Sequence, residues 1–288
     1  MLAAAIWGGG FVAQSTAMKA IGPFWVIGLR FAVATFAVLP FRPFRSAQGP
    51  GRRQASGRAR LYMLDRVLPF SGGATTQQVG MQMKTVTNSS FITGLYVVFV
   101  PLIAVIFMRR APHWIIWPGA LMAVAGIYLL SGGHLSALTS GDLLTVVCAV
   151  FWSIQITLAG TTVSETARPL ALSATQFAVT AVCALAIAVA AEPISLSSVL
   201  AAAPQILYVG IFSSGLAFVL QVIGQRYTTP SQAAIFLSSE ALFGASLAAL
   251  LLGESMSATG YTGCALMFIA MLVVELVPSF TRRGLRAA

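Results

Sequence analysis

A lone carboxylate, Glu240, sits halfway along an otherwise apolar stretch from Pro230 to Glu254. Ser238 and Ser239 precede it, and Gly244, Ala245, Ser246, Ala248 and Ala249 occupy the turns after it. About twenty apolar residues make a helix long enough to cross a hydrocarbon core of ~30 Å. An acid at that depth costs roughly 2.5–3.5 kcal/mol on insertion scales, so it needs an interior partner or a wet face. Small neighbours let another helix come close. Three uses suit Glu240: binding the amino group of a solute, carrying a coupling proton, or pairing statically with Arg30. Arg30 lies seven residues into its own apolar run, counted from Pro23. It is placed either to snorkel outward or to hold a solute carboxylate in its planar fork, with a plain packing contact as the structural alternative.

Other polar groups inside apolar runs extend this set. Trp7, Phe11 and Gln14 share one helical face, and Trp152 and Gln155 share another, so rings and amides can together cradle a solute or simply pack. Asn88, Ser89, Thr93 and Tyr96 open a fourth run as Ser231, Gln232, Ser238 and Ser239 do a ninth. Gln78, Gln82, Gln176, Gln221 and Gln225 add amides. In hydrocarbon each such group must bond something, so together they argue for a hydrated interior as well as for helix–helix glue. Pro101 interrupts the fourth run as a hinge or a fixed bend. Cys148, Cys183 and Cys264 read as small buried hydrophobes, and His113 and His134 fall in loops. No metal or cofactor is expected.

The elements that position these residues follow from composition. Hydrophobic residues make up 58% of the 288 and charged residues 8%, with a mean hydropathy of +0.87. A soluble domain carries about 25% charge, so the reading is an all-α polytopic membrane protein. Apolar runs place spans near 2–18, 23–41, 61–80, 88–108, 112–131, 141–161, 169–191, 204–224, 230–252 and 257–278. The chain begins within the first run with no basic leader, as a span and not a cleaved signal peptide. Thirteen Lys and Arg fall in alternate connections and the C-terminal tail, against two, Lys19 and Lys84, on the opposite side. That bias puts both termini in the cytoplasm of an inner-membrane protein. It also accounts for the formal charge of +10 without nucleic acid. Residues 42–60 form a basic loop at the lipid headgroups, and Asp65 and Arg66 lie at headgroup depth.

The chain compared with itself shows a repeat at an offset near 144. Ile6-Trp7 matches Phe151-Trp152, Arg30-Phe31 matches Gln176-Phe177, Gln82 matches Gln225 and Gly119-Ala120 matches Gly263-Cys264. Residues 1–131 and 141–278 then form two five-helix repeats, followed by a tail at 279–288. An odd number of helices per repeat makes the halves inverted copies, with substrate expected at their interface near mid-depth. Trp7-Gly8, Arg30-Phe31 and Leu250-Leu251-Leu252-Gly253-Glu254, together with the five-plus-five plan, resemble the EamA family of the drug/metabolite transporter superfamily. Arg109-Arg110 stands where that family often closes its fourth span with Gly-Glu, and residues 42–75 depart from its pattern.

The resemblance implies a carrier of small metabolites or drugs, and many such carriers are bacterial exporters. The expected substrate path comprises Glu240, Ser239, Trp7, Gln14, Arg30, Asn88, Thr93, Tyr96, Trp152, Gln155, Gln176 and Gln221. Without a phosphate-binding loop, the drive is a proton gradient or the solute's own gradient. The partners are then a small solute, the bilayer and, in the first case, protons, with monomer and homodimer both open. An embedded enzyme would need paired aspartates, a His cluster or a Ser–His pair. A channel would more often show rings of like side chains.

Overall fold

The structure is a computed structural model and describes residues 1–41, 65–83, 92–109, 111–130, 140–166, 169–252 and 257–287. Among these residues every expected run is helical and there is no strand. The basic loop at 42–60, Asn88, Ser89, Lys84, Arg110, Arg168 and Glu254 lie outside the described residues.

The helices in chain order are α1 (Leu2–Ala17), α2 (Pro23–Val38), α3 (Val67–Gln82), α4 (Tyr96–Ile106), α5 (Ile116–Leu130), α6 (Ser140–Thr166), α7 (Pro169–Ala191), α8 (Leu196–Gly224), α9 (Pro230–Leu237), α10 (Glu240–Leu252) and α11 (Ala258–Ala287). Three stretches are long and apolar enough to cross a bilayer by themselves: Leu143–Val163, Pro169–Ala191 and Leu196–Gly224. The helices Pro23–Val38, Tyr96–Ile106, Ile116–Leu129 and Ala258–Val274 are apolar but shorter. Ten full crossings are thus met in part.

Three boundaries differ from expectation for local reasons. The eighth run begins eight residues before Pro204, because Ser195 caps it: its Oγ accepts from Ser198 N at 3.1 Å. Pro204 sits inside α8, and the backbone winds as a π-helix from Val209 to Leu216 before resuming. The ninth run is not one rod but two, parted at Ser238-Ser239. The last helix runs through Pro278 to Ala287, so residues read as a tail extend α11.

Helix α2 packs along α7, α5 along α11, α3 along α6, and α1 along α8 and α10, while α4 meets α6 and α9. Lipid offers apolar side chains what a protein interior does, so these contacts rest on close packing rather than burial from water. Gly8, Gly9 and Gly10 show how. Three glycines cost a helix roughly 1 kcal/mol each relative to alanine. Here a Cβ on Gly9 would lie 2.6 Å from Tyr208 Oη, and one on Gly10 would lie 2.5 Å from Ser213 Oγ. The core is aromatic, with Phe70 touching Phe31, Phe177, Phe218 and Trp152 at centroid distances of 5.0–5.7 Å. Phe31 also stacks on Phe177 at 5.8 Å.

The two halves are tied at the Gly22 end by Glu192. Its carboxylate accepts from the backbone amides of Phe24 and Trp25, each at 3.1 Å, while Trp25 Nε1 donates to the Glu192 carbonyl at 3.2 Å. A carboxylate at a helix N-terminus satisfies orphan amides and complements the dipole, and here it comes from the far half of the chain. Gly22 makes room, since a Cβ there would lie 2.2 Å from Glu192 Oε2. Glu192→Ala is expected to remove about 1–2 kcal/mol, read as a lower thermal midpoint in detergent. Gln, which can still accept, should fall between Ala and wild type. An unchanged midpoint for Ala would refute the cap.

Candidate functional site

Helix interruptions in both halves deliver polar groups to one place. In the first half the chain turns at Gly94-Leu95 before α4 starts at Tyr96; in the second it turns at Ser238-Ser239 before α10 starts at Glu240. Tyr96 Oη donates to Glu240 Oε1 at 3.3 Å. Both side chains are buried, at 3% and 6% exposure.

The two residues line a cavity between the helices. From the first half, Trp7, Phe11, Gln14, Arg30, Thr93 and Tyr96 reach it. Trp152, Gln155, Gln221 and Glu240 reach it from the second. Its volume is about 40 Å³, room for about three waters. Larger cavities lie to either side. One of about 610 Å³ at the Gly22 end includes Lys19, Gln82 and Glu192. One of about 270 Å³ at the Met1 end includes Gln221, Gln225 and Thr228. Gln221 lines both this last cavity and the central one.

Arg30 does not snorkel. It is 3% exposed, its Nη1 donates to Gln14 Oε1, and its guanidinium lies 4.5 Å from the centroid of the Phe31 ring. An amide acceptor and an aromatic face hold the cation in the interior, where reaching the headgroups would forfeit both. Nor does it pair with Glu240: among the described residues each binds a different neutral partner. Among the described residues Arg30 Nε, Gln155 Nε2 and Gln221 Oε1 are buried with no hydrogen-bond partner, although Gln221 Nε2 donates to Gln155 Oε1 at 3.2 Å. The cavity therefore presents donors and acceptors with unused capacity, and each such buried group costs about 1–3 kcal/mol until something bonds it.

Two expected residues stand elsewhere. Ser239 Oγ donates to the Phe236 carbonyl at 2.6 Å, closing the broken turn between α9 and α10. Gln176 Nε2 donates to the Arg66 carbonyl at 3.1 Å and so ties α7 to the start of α3. Arg66 Nε in turn donates to Thr162 Oγ1 at 3.2 Å, near the end of α6. Asn88 falls outside the described residues.

Gln77, Ile156, Ser213 and Phe218 line the cavity without having been singled out. Gln77 does so where its neighbour Gln78 was expected; Gln78 is buried with neither amide atom bonded among the described residues. Ser213 lies in the π-helical segment, and its carbonyl accepts from Trp7 Nε1 at 2.8 Å. A π-turn shifts carbonyls out of the i→i+4 ladder, and this one fixes the indole. Gly210 in the same segment lets α8 approach α2 beside Arg30, since a Cβ there would lie 3.0 Å from the Arg30 carbonyl oxygen. Trp7 and Trp152 both pack on Phe218, at 4.7 and 5.4 Å.

A protein of known crystal structure superposes with a TM-score of 0.74 over 96% of this chain and 98% of its own, at 16% identity, which speaks to the fold alone. An uncharacterized transporter of Archaeoglobus fulgidus is 29% identical over 279 residues, covering 96% of this chain and 84% of that protein. The profile of the EamA-like transporter family matches twice, at residues 1–132 and 139–276. On that match the chain belongs to the EamA-like transporter family, which supports membrane transport of some solute.

Proposed function

We propose that the protein carries a small solute bearing both an ammonium and a carboxylate across the cytoplasmic membrane by alternating access, in the direction of export. The observation that carries this reading is that Arg30 and Glu240 share one cavity without neutralising each other. Buried opposite charges that only relieved their own desolvation would pair. Left apart, the guanidinium suits a carboxylate and the carboxylate an ammonium, while Trp7, Trp152 and Phe218 supply an apolar wall.

The helix pairs support an inverted repeat. The pairs α2–α7 and α5–α11 each join like positions of the two halves. The pairs α3–α6 and α8–α1 exchange into each other when the halves are swapped. A pseudo-twofold axis in the membrane plane produces that pattern and lets two bundles rock about a central site. The small central cavity between two larger ones suits a contracted state that must open toward one side to admit a solute. Both termini are cytoplasmic on the charge bias, and the drive is a proton gradient or the solute's own.

The test is a matched set of probes in proteoliposomes: phenylalanine, phenethylamine and 3-phenylpropionate, which carry both charges, the cation alone and the anion alone. Phenylalanine is expected to move fastest, because it alone satisfies both residues. Equal flux of all three, or of none, would end the zwitterion reading.

A further inference from the structure

We infer that the Tyr96 phenol is an internal stand-in for the cationic group of the solute, and that it thereby sets how tightly the cavity takes an amine. The inference rests on the reading of Glu240 as the group that receives that cation. Tyr96 and Glu240 are 144 residues apart, which is the repeat offset, so they hold the same position in the two halves. Each is the first residue of the helix that follows a break. The bond between them joins like positions to each other and couples the two interruptions directly.

One half carries a donor there and the other a charged acceptor. Among the described residues no second donor reaches the Glu240 carboxylate. The phenol therefore satisfies Glu240 while the cavity is empty, which spares a buried carboxylate the cost of standing unbonded. A phenolic O–H and an ammonium N–H seek the same lone pairs, but only the ammonium brings charge. A solute must loosen the Tyr96 bond to make its own, and that loss is subtracted from its affinity. With about 40 Å³ in the cavity, an amine has little room beside the phenol unless a side chain moves. Tyr96 thus discriminates: a neutral donor gains little by replacing it, whereas a cation gains a charge-assisted bond.

The experiment uses the full chain in lipid nanodiscs, with phenethylamine and 3-phenylpropionate binding followed by intrinsic tryptophan fluorescence. Tyr96→Phe is expected to bind phenethylamine about tenfold more tightly, the fold-change of one lost competing hydrogen bond. Its affinity for 3-phenylpropionate should equal that of wild type. In a Glu240→Gln background the same change should do nothing to amine binding, whereas a merely structural role for Tyr96 would persist there. If Tyr96→Phe lowers the thermal midpoint, Tyr96→Met, which lacks a donor, is read against Tyr96→His, which keeps one, and only Met should tighten amine binding. Unchanged or weaker amine binding in the donor-less variants overturns the stand-in. If Glu240→Gln still weakens the amine in that case, the cation site survives. If Glu240→Gln leaves amine affinity intact, or no form binds phenethylamine, both ideas fall together.

Discussion

Replacing Glu240 with glutamine is expected to cut phenylalanine and phenethylamine flux in proteoliposomes by about a hundredfold or more, with the protein still folded. Taking away one partner of a buried charge pair costs roughly 3–5 kcal/mol, and each 1.4 kcal/mol is a factor of ten. Glutamine preserves the volume, and its carbonyl can still accept from Tyr96 Oη, so the start of α10 should hold its place. The opposite outcome is just as definite. If the carboxylate only glued helices, a neutral isostere would spare its desolvation, and the variant would be as stable or more so with flux intact. Binding of 3-phenylpropionate separates lost charge recognition from a distorted cavity. It should be retained or improve when the negative charge goes, whereas a general collapse would take it down as well.

The helices were legible because a bilayer leaves the backbone little choice. Hydrocarbon demands helices, and helices demand uninterrupted apolar runs, which composition reports directly. The self-match at an offset near 144 carried the two-repeat plan, and the family profile matches twice along the chain. Much of the cavity lining was legible for a related reason: a polar group inside an apolar run has few places to go, and Gln14, Arg30, Tyr96, Gln155 and Glu240 converge.

What escaped depends on backbone detail that hydropathy does not carry. Ser239 is polar and adjacent to Glu240, yet the helix breaks there and its hydroxyl serves the freed Phe236 carbonyl. Gln176 looks equivalent to Arg30 by the repeat, but it spends its amide on Arg66, whose place was obscured by the poorly patterned segment before α3. Ser213 came to the site through a π-turn, which inserts a shift of register that period-3.6 reasoning cannot foresee. Only its setting between Gly210 and Gly215 hinted that the backbone there approaches something closely.

Gly8→Ala should damage both stability and transport, while Gly244→Ala should be tolerated, although the two glycines face each other. A Cβ on Gly8 would sit 2.5 Å from Gly244 N and 2.9 Å from the Phe243 carbonyl carbon. These are backbone atoms, so no rotamer change relieves the overlap, and α1 and α10 must part. Overpacking of this kind costs about 1–3 kcal/mol, against roughly 1 kcal/mol of helix propensity gained. In the reverse direction a Cβ on Gly244 meets Gly8 at 3.6 Å, an ordinary contact, and the propensity gain stands unopposed. The separation of α1 from α10 falls between Trp7 and Glu240, one residue before Gly8 and one turn before Gly244. Displacing that seam therefore moves an aromatic wall and the carboxylate apart, and phenylalanine flux should drop further than the thermal midpoint alone would explain. The reading is overturned if Gly8→Ala and Gly244→Ala behave alike, because the asymmetry arises from distance: both Cβ atoms would face backbone, but one overlaps it at 2.5 Å and the other meets it at 3.6 Å.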